Sequence, residues 1–319
     1  MRGGIDVGGT KTNMGLFNEE HVLISNRKIP TVSIEQILWE FADMVAQADS
    51  ETPLQSIGIG IPGTVDRKQG VIVLAPNLGW QNIPIGQQFF SHFYVPIRLS
   101  QDAEAAIVGE YLFGEGRGYS NLIGITVGTG IGCGLIINGQ PYKGSFRTAG
   151  EFGHIIAVPG GRLCNCGKRG CVETYASGTG IVTEYMEQVH KGGRSSILKV
   201  EGQVRSEDIF AAAKKGCLLC KGAIDQAVHH LAVAITNAIN LVGPDAVIIS
   251  GGICTEEELF TAPLFTQVNE TIYGVLKDKV KFTIALLEAD APMYGAAYFE
   301  ERLTGSSPAI NGELTCCQK

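Results

Sequence analysis

Apolar and polar positions change over in short blocks through the first sixty residues, and the blocks read as strands. An apolar run ends at Asp6, a glycine turn follows, a second strand covers about Asn13 to Phe17 and a third Val22 to Ile24. The period then lengthens. Ile34, Ile37, Leu38, Phe41, Ala42 and Val45 recur at helical spacing behind Ser33 and Gln36, which have the spacing of a capping box, so one face of this helix is expected to pack on the sheet. Ile57 to Ile61 predicts another strand, stopped by Pro62 and Gly63. A strand from Val95 to Leu99 runs on through Ser100 and Gln101 to Asp102 and a helix from Ala103 to Tyr111. Asp102 is thereby expected where a strand hands over to a helix, the position at which open α/β sheets bind ligands.

The opening pattern returns near Asn121, with a strand from Leu122 to Thr126, the turn Gly128-Thr129-Gly130, a strand from Leu135 to Ile137 and an Asn138-Gly139 hairpin. The chain therefore reads as an internal duplication. In each copy a strand ends in a small-residue turn containing a threonine and returns antiparallel, which puts two backbone-rich loops opposite each other across an expected cleft. Ile224, Val228, Leu231, Ile235 and Ile239 predict a long amphipathic helix, followed by a strand from Ala246 to Ile249 and a third glycine turn, Ser250-Gly251-Gly252.

Composition sharpens this picture at a few points. The 319 residues, 45% hydrophobic and 18% charged, suffice for two globular domains. Forty-two glycines without a triplet period read as many tight turns that approach ligands. A net charge of -7 with no basic run argues against nucleic acid as a partner. No basic segment followed by an apolar block precedes Asp6, so no signal peptide is expected, and no apolar run is long enough to span a membrane; the expected location is the cytoplasm. Nine cysteines, three of them at metal-ligand spacing, fit a reducing compartment better than a disulfide framework. Cys133, Cys217, Cys220 and Cys254 are expected to be structural, and Cys316 and Cys317 to lie in a polar tail without a specific role.

The stretch from Gly150 to Glu173 is the densest in chemistry. It holds Glu151, His154, Cys164, Cys166, Cys171 and Glu173, and three thiolates with one imidazole match the tetrahedral preference of zinc. His154, Cys164, Cys166 and Cys171 would close the coordination sphere with protein ligands, which makes the zinc structural. Polar neighbours (Asn165, Lys168, Arg169) set this reading above one of ordinary core cysteines. The segment Asp6-Val-Gly-Gly-Thr-Lys has the makings of a phosphate cradle, in which backbone N–H groups at Gly8 and Gly9 face an anion beside Thr10 and Lys11. It is not the common P-loop, which would need lysine where Thr10 stands, and Gly128-Thr-Gly-Ile-Gly-Cys is not a dinucleotide fingerprint, since Cys133 occupies the third glycine position. Asp102 is the candidate catalytic base; by position alone, a helix N-cap serves equally well.

Taken together these residues resemble the ROK family (repressor, open reading frame, kinase), and within it the bacterial glucokinases. The resemblance runs from Asp6 to about Tyr298 and is most specific in Cys-x-Cys-Gly-x-x-Gly-Cys-x-Glu after Glu-x-Gly-His. It implies an α/β, actin-like ATPase (ribonuclease H-like) duplicated fold with two domains of hexokinase type. It also implies ATP with Mg2+ as cofactor and transfer of the γ-phosphoryl group to the 6-hydroxyl of glucose. On this resemblance Asp6, Gly8, Gly9, Thr10 and Lys11 match the first phosphate motif, Gly128, Thr129 and Gly130 the second, and Gly251 and Gly252 the adenosine loop. Asp102 matches the base, while Asn77, Glu151, His154 and Glu173 match residues that hydrogen-bond the other sugar hydroxyls. His154 would serve zinc through one ring nitrogen and sugar through the other.

The family's glucokinases usually carry asparagine immediately before the base and again two positions after it, and this chain has Gln101 and Glu104. That asparagine contacts the sugar, so Gln101 is a further candidate sugar-binding residue and the preferred hexose stays open among glucose, N-acetylmannosamine, N-acetylglucosamine, allose and fructose. The family also contains sugar-sensing repressors with an N-terminal helix-turn-helix; the phosphate motif here begins at Asp6, which leaves no room before it and disfavours that reading. The expected domains are 1–118 together with a C-terminal helix at about 292–304, a larger one at 119–291 that carries the zinc and a homodimer or homotetramer interface, and a tail at 305–319.

Overall fold

The computed structural model describes residues 1–48, 52–145, 148–193 and 204–299. The expected tail with Cys316 and Cys317, and the far end of the expected C-terminal helix, lie outside the described residues. The chain divides into two compact units. One comprises Met1–Gly118, Asn138–Pro141 and the segment from Ala289 onward, the other Tyr119–Ile137 and Tyr142–Glu288.

The wiring of one sheet repeats in the other. In the first unit Arg2–Val7 pairs antiparallel with Lys11–Phe17 and parallel with Ser56–Ile61, which pairs parallel with Ile97–Gln101. In the second, Leu122–Val127 pairs antiparallel with Ile131–Ile137 and parallel with Ala246–Ser250, which pairs parallel with Lys281–Ile284. The duplication is thus present in the hydrogen bonding itself.

Sequence and packing meet most directly in Ser56–Ile61, a strand buried along its whole length. Ile57, Ile59 and Ile61 join Ile5, Met14, Phe41 and Phe89 in one core, beneath the helices Ile34–Gln47 and Ile85–Phe93. Gly58, between Ile57 and Ile59, is glycine because the helix Ala291–Ala297 lies against it. A Cβ at Gly58 would come within 1.7 Å of the Ala296 carbonyl oxygen, and one at Gly295 within 1.7 Å of that of Ala105. Backbone therefore meets backbone, and helix Asp102–Phe113 is held by the same contact.

Three elements depart from the expected pattern. The third strand is Leu23–Pro30, longer than Val22 to Ile24, because it is an edge strand whose positions alternate between half-buried and exposed; Asn26, Arg27 and Lys28 carry no apolar signal. The returning strand of the second copy begins at Ile131 rather than Leu135, since Gly132 and Gly134 interrupt its apolar run. A small antiparallel sheet, Thr64–Asp66, Val71–Ala75 and Trp80–Ile83, went unpredicted; strands this short offer too few positions to set a period.

In the second unit the long helix is Leu218–Val242, and Ile224, Val228, Leu231, Ile235 and Ile239 are all in the core. It stops at Gly243 in the left-handed region, φ 62°. Among the described residues no helix is long and apolar enough to cross a membrane.

Candidate functional site

In the first unit the candidate residues sit on the turn between the first two strands and at the end of Ile97–Gln101. Gly8 donates its N–H to the Lys11 carbonyl at 3.0 Å, and Thr31 steadies the turn through Oγ1 on the Gly8 carbonyl at 2.8 Å. Gly9, Thr10 and Lys11 are left exposed, and Asn77, on the short turn Pro76–Leu78, has its Cβ 3.9 Å from where a Gly9 side chain would begin. Asp6, half-buried in the central strand, has its carboxyl pushed up to about 7, first by burial and then by the neighbouring Asp102 carboxylate.

Asp102 is the first residue of helix Asp102–Phe113, and Gln101 is the last residue of its strand. The N-cap position belongs to Gln101, and the Asp102 carboxylate accepts the adjacent Ala103 N–H at 2.8 Å. Ala103 is the second residue of the helix, so the carboxylate satisfies one of the free N–H groups of the first turn although Asp102 is not itself the N-cap residue. Burial raises the Asp102 pKa above the ordinary carboxylate range, so this group holds a proton more readily than a free aspartate. Gln101 donates from Nε2 to the Gly63 carbonyl at 3.1 Å, which leaves its Oε1 to accept from another partner. Glu104 forms an ion pair with Arg67, and both side chains are about nine-tenths buried, at 9% and 10% exposure. Arg67, on the turn of the small sheet, had no signal in the sequence; its guanidinium also lies over the Phe299 ring at 5.1 Å.

In the second unit, the turn Gly128-Thr129-Gly130 closes on itself through Gly128 N–H to the Gly130 carbonyl at 2.9 Å. Gly251 has φ 108°, and a Cβ there would strike the Val127 carbonyl oxygen at 2.1 Å, so the turn after Ala246–Ser250 can only be glycine. Gly128, Thr129 and Gly252 line one cavity of about 650 Å³, and Thr179, Phe210 and Lys214 are among its other wall residues. The sequence carried no signal for the last three, which come from helices remote in the chain. Lys214 is paired at 2.6 Å with Glu256, another lining residue.

The cysteine-rich stretch folds into a single cluster. The candidate ligand atoms of His154, Cys164, Cys166 and Cys171 all lie within 4.8 Å of one another. Cys166 and Cys171 have their sulfurs 3.6 Å apart, and Cys164 Sγ is 3.6 Å from His154 Nδ1. The first separation is far beyond the roughly 2.05 Å of a disulfide. A tetrahedral ion with bonds of about 2.3 Å to sulfur and about 2.0 Å to nitrogen sets ligand–ligand edges of roughly 3.5–3.8 Å, so the donor set fits zinc in both chemistry and spacing. A turn shapes this cradle: the Cys164 carbonyl accepts from Gly167 N–H at 2.9 Å, and the Cys164 N–H donates to the Lys168 carbonyl at 2.8 Å.

His154 turns its other nitrogen, Nε2, toward Glu151 Oε2 at 3.9 Å, and both side chains are exposed. Glu173 opens a four-residue helix, and its Oε2 accepts the Ile131 N–H at 2.9 Å. Arg162, unnoticed in the sequence, ties the cysteine-rich stretch to the helix Gly178–His190. Its guanidinium donates to Glu184 and Glu187 on that helix and to the Thr174 carbonyl, and lies 4.7 Å from the Tyr175 ring centre.

Comparison with known proteins decides the family. The ROK family profile matches residues 2–302. The chain belongs to the ROK family. It is 34% identical over 278 residues to the glucokinase of Streptomyces coelicolor, covering 85% of this chain and 88% of that one. It is 32% identical over 310 residues to the glucokinase of Thermotoga maritima, covering 95% and 98%. The crystal structure of a ROK family glucokinase from Streptomyces griseus, in complex with glucose and AMPPNP, matches with a TM-score of 0.77 at 32% identity, over 93% of this chain and 98% of that one. The fold is the actin-like ATPase fold of ROK kinases, in agreement with the repeated sheet wiring.

Proposed function

We propose that this ROK protein is an ATP-dependent kinase that phosphorylates the 6-hydroxyl of glucose. The observation that carries the reading is Asp102, a half-buried carboxylate with a raised pKa at a strand-to-helix handover, beside the glycine turn that follows the first strand. The likeness to a glucokinase solved with glucose and an ATP analogue supports it. In this reading Asp102 takes the proton of the 6-hydroxyl as that oxygen attacks the γ-phosphoryl group. Asn77, Gln101, Glu151, His154 and Glu173 hydrogen-bond the remaining hydroxyls. Gly8, Gly9, Thr10 and Lys11 receive one part of the triphosphate and Gly128, Thr129 and Gly130 another, with adenosine at Gly251 and Gly252. Phosphoryl transfer of this kind asks little covalent chemistry of the protein and much positioning, which backbone N–H groups on glycine turns supply.

Mg2+ bound with ATP neutralises phosphate charge, and Asp6 offers it a hard oxygen donor. Zinc held by His154, Cys164, Cys166 and Cys171 would fix the loop bearing Glu151 and Glu173, with His154 Nε2 left for the sugar. The reading extends to a homodimer or homotetramer in the cytoplasm.

A second substrate reading rests on Gln101 and Glu104. Gln101 is tethered to Gly63 through Nε2, which leaves only its Oε1 for a sugar, and Glu104 is paired with Arg67, so their contacts differ from those of the asparagines usual at these positions and a hexose other than glucose becomes the alternative. An ADP-release assay with ATP and Mg2+ against glucose, mannose, allose, fructose, N-acetylglucosamine and N-acetylmannosamine decides between them, with Asp102→Asn as blank. The expected outcome is glucose turnover that falls by about 10²–10⁴ in the blank. Turnover undiminished in Asp102→Asn removes the proposed base, and silence across the panel from folded protein returns weight to a sensor.

A further inference from the structure

The segment that begins with Glu173 is bonded at three successive points to the turn Gly128-Thr129-Gly130 and the strand that leaves it. Glu173 Oε2 accepts the Ile131 N–H at 2.9 Å, Gly178 donates its N–H to the Gly128 carbonyl at 2.8 Å, and Thr179 Oγ1 donates to the Thr129 carbonyl at 2.8 Å. The same Glu173 oxygen lies flat against Gly130, since a Cβ there would come within 2.5 Å of it. The upstream end of the segment is fixed too. Thr174 Oγ1 donates to the Cys171 carbonyl at 2.8 Å, and Arg162 holds the Thr174 carbonyl at 3.0 Å.

A carboxylate oxygen that accepts a backbone N–H at the foot of a glycine turn does more than wait for a sugar. Ile131 is the first residue of its strand, and its N–H direction sets the pitch of the turn before it. A charge-assisted bond is stronger than a neutral one and directional, so it restricts the conformations open to three residues, two of them glycine. Resting on the nucleotide role proposed for this turn, we infer that Glu173 is a positioning residue for the Gly128–Gly130 turn. It acts through the Ile131 N–H, so nucleotide affinity depends on a residue of the sugar-binding stretch. One oxygen, Oε2, is engaged with the turn, and Oε1 is the one left for a sugar hydroxyl.

The test is binding of a fluorescent ADP analogue with Mg2+ and no sugar, measured on the full-length zinc-loaded protein. Glu173→Ala is expected to weaken nucleotide binding roughly tenfold. Glu173→Gln, whose amide oxygen can still accept the Ile131 N–H, is expected to restore most of that loss while its KM for sugar stays changed. Gly130→Ala, whose methyl group would strike the Glu173 carboxylate, is expected to bind nucleotide poorly, and Gly130→Ala combined with Glu173→Ala to bind better than Gly130→Ala alone. Zinc content and thermal unfolding of each variant identify any that failed to fold, and the suppression experiment then reads the contact independently of Glu173→Ala. Wild-type-like nucleotide affinity in a folded Glu173→Ala overturns the inference, as does equal loss in the Ala and Gln variants. No nucleotide binding by the wild-type protein would instead overturn the kinase reading on which it rests.

Discussion

At the scale of single residues, the two aspartates of the first unit are held partly away from water. Asp6 and Asp102 are neighbours in one unit, and both carboxyls hold their protons more readily than free aspartates. A carboxyl whose folded pKa exceeds its unfolded value binds a proton more tightly in the native state, so its support for the fold falls as pH rises from 3.8 to about 7 and is absent above. Asp6→Asn is therefore expected to be more stable than the parent at pH 8, and to show a much smaller gain at pH 4. Urea unfolding at the two pH values measures this; an equal change at both would show that burial of the charge is not the cause. On the proposed kinase reading such a cost persists because a carboxylate needed at the reacting groups cannot be exchanged for a neutral one. The sequence pointed to Asp102 from its place at a strand-to-helix handover and to Asp6 through the resemblance to the family's first phosphate motif. It held no sign of Arg67 or Arg162, because an ion pair such as Arg67 with Glu104 joins residues that only folding brings together.

At the scale of elements, the stretch from Glu151 to Glu173 has little regular structure of its own. Its bonds are two isolated bridges, Ile156 with Cys171 and Leu163 with Arg169, a few turns and the cluster of three sulfurs and an imidazole. If this cluster holds zinc as proposed above, metal binding and local folding are expected to be one event. Cys166→Ala is expected to lose zinc, lower the unfolding temperature by several degrees and raise the KM for sugar more than it lowers kcat. Metal analysis with sugar kinetics and a thermal scan measures all three, and full zinc occupancy in the variant would show that Cys166 is not a ligand. The cysteine spacing was legible because a chelate loop is local in sequence. The cavity walls at Thr179, Phe210 and Lys214 were not, since those residues lie on ordinary amphipathic helices and are chosen by packing.

At the scale of the whole molecule, the duplicated wiring assigns one glycine turn to the first hairpin of each half, at Gly8 and Gly128. A ligand that binds only the native state stabilises it by about 2.7 kcal/mol at one hundred times its Kd. Glucose together with a non-hydrolysable ATP analogue and Mg2+ is therefore expected to raise the unfolding temperature by roughly 5–10 °C, and by more than either ligand alone. A scan in which neither ligand shifts the transition would count against the proposed substrates. By itself the sequence determined the repeated strand–turn–strand pattern, the long helix and the cysteine spacing of the candidate metal site, because each depends on neighbours within a few residues. Tertiary structure alone decided that Gly58 and Gly295 are contact points for backbone, that Glu104 is paired, and that Glu173 reaches Ile131 across 42 residues of chain. Such partners are selected by close packing of surfaces distant in the chain, and no local pattern of polarity records them.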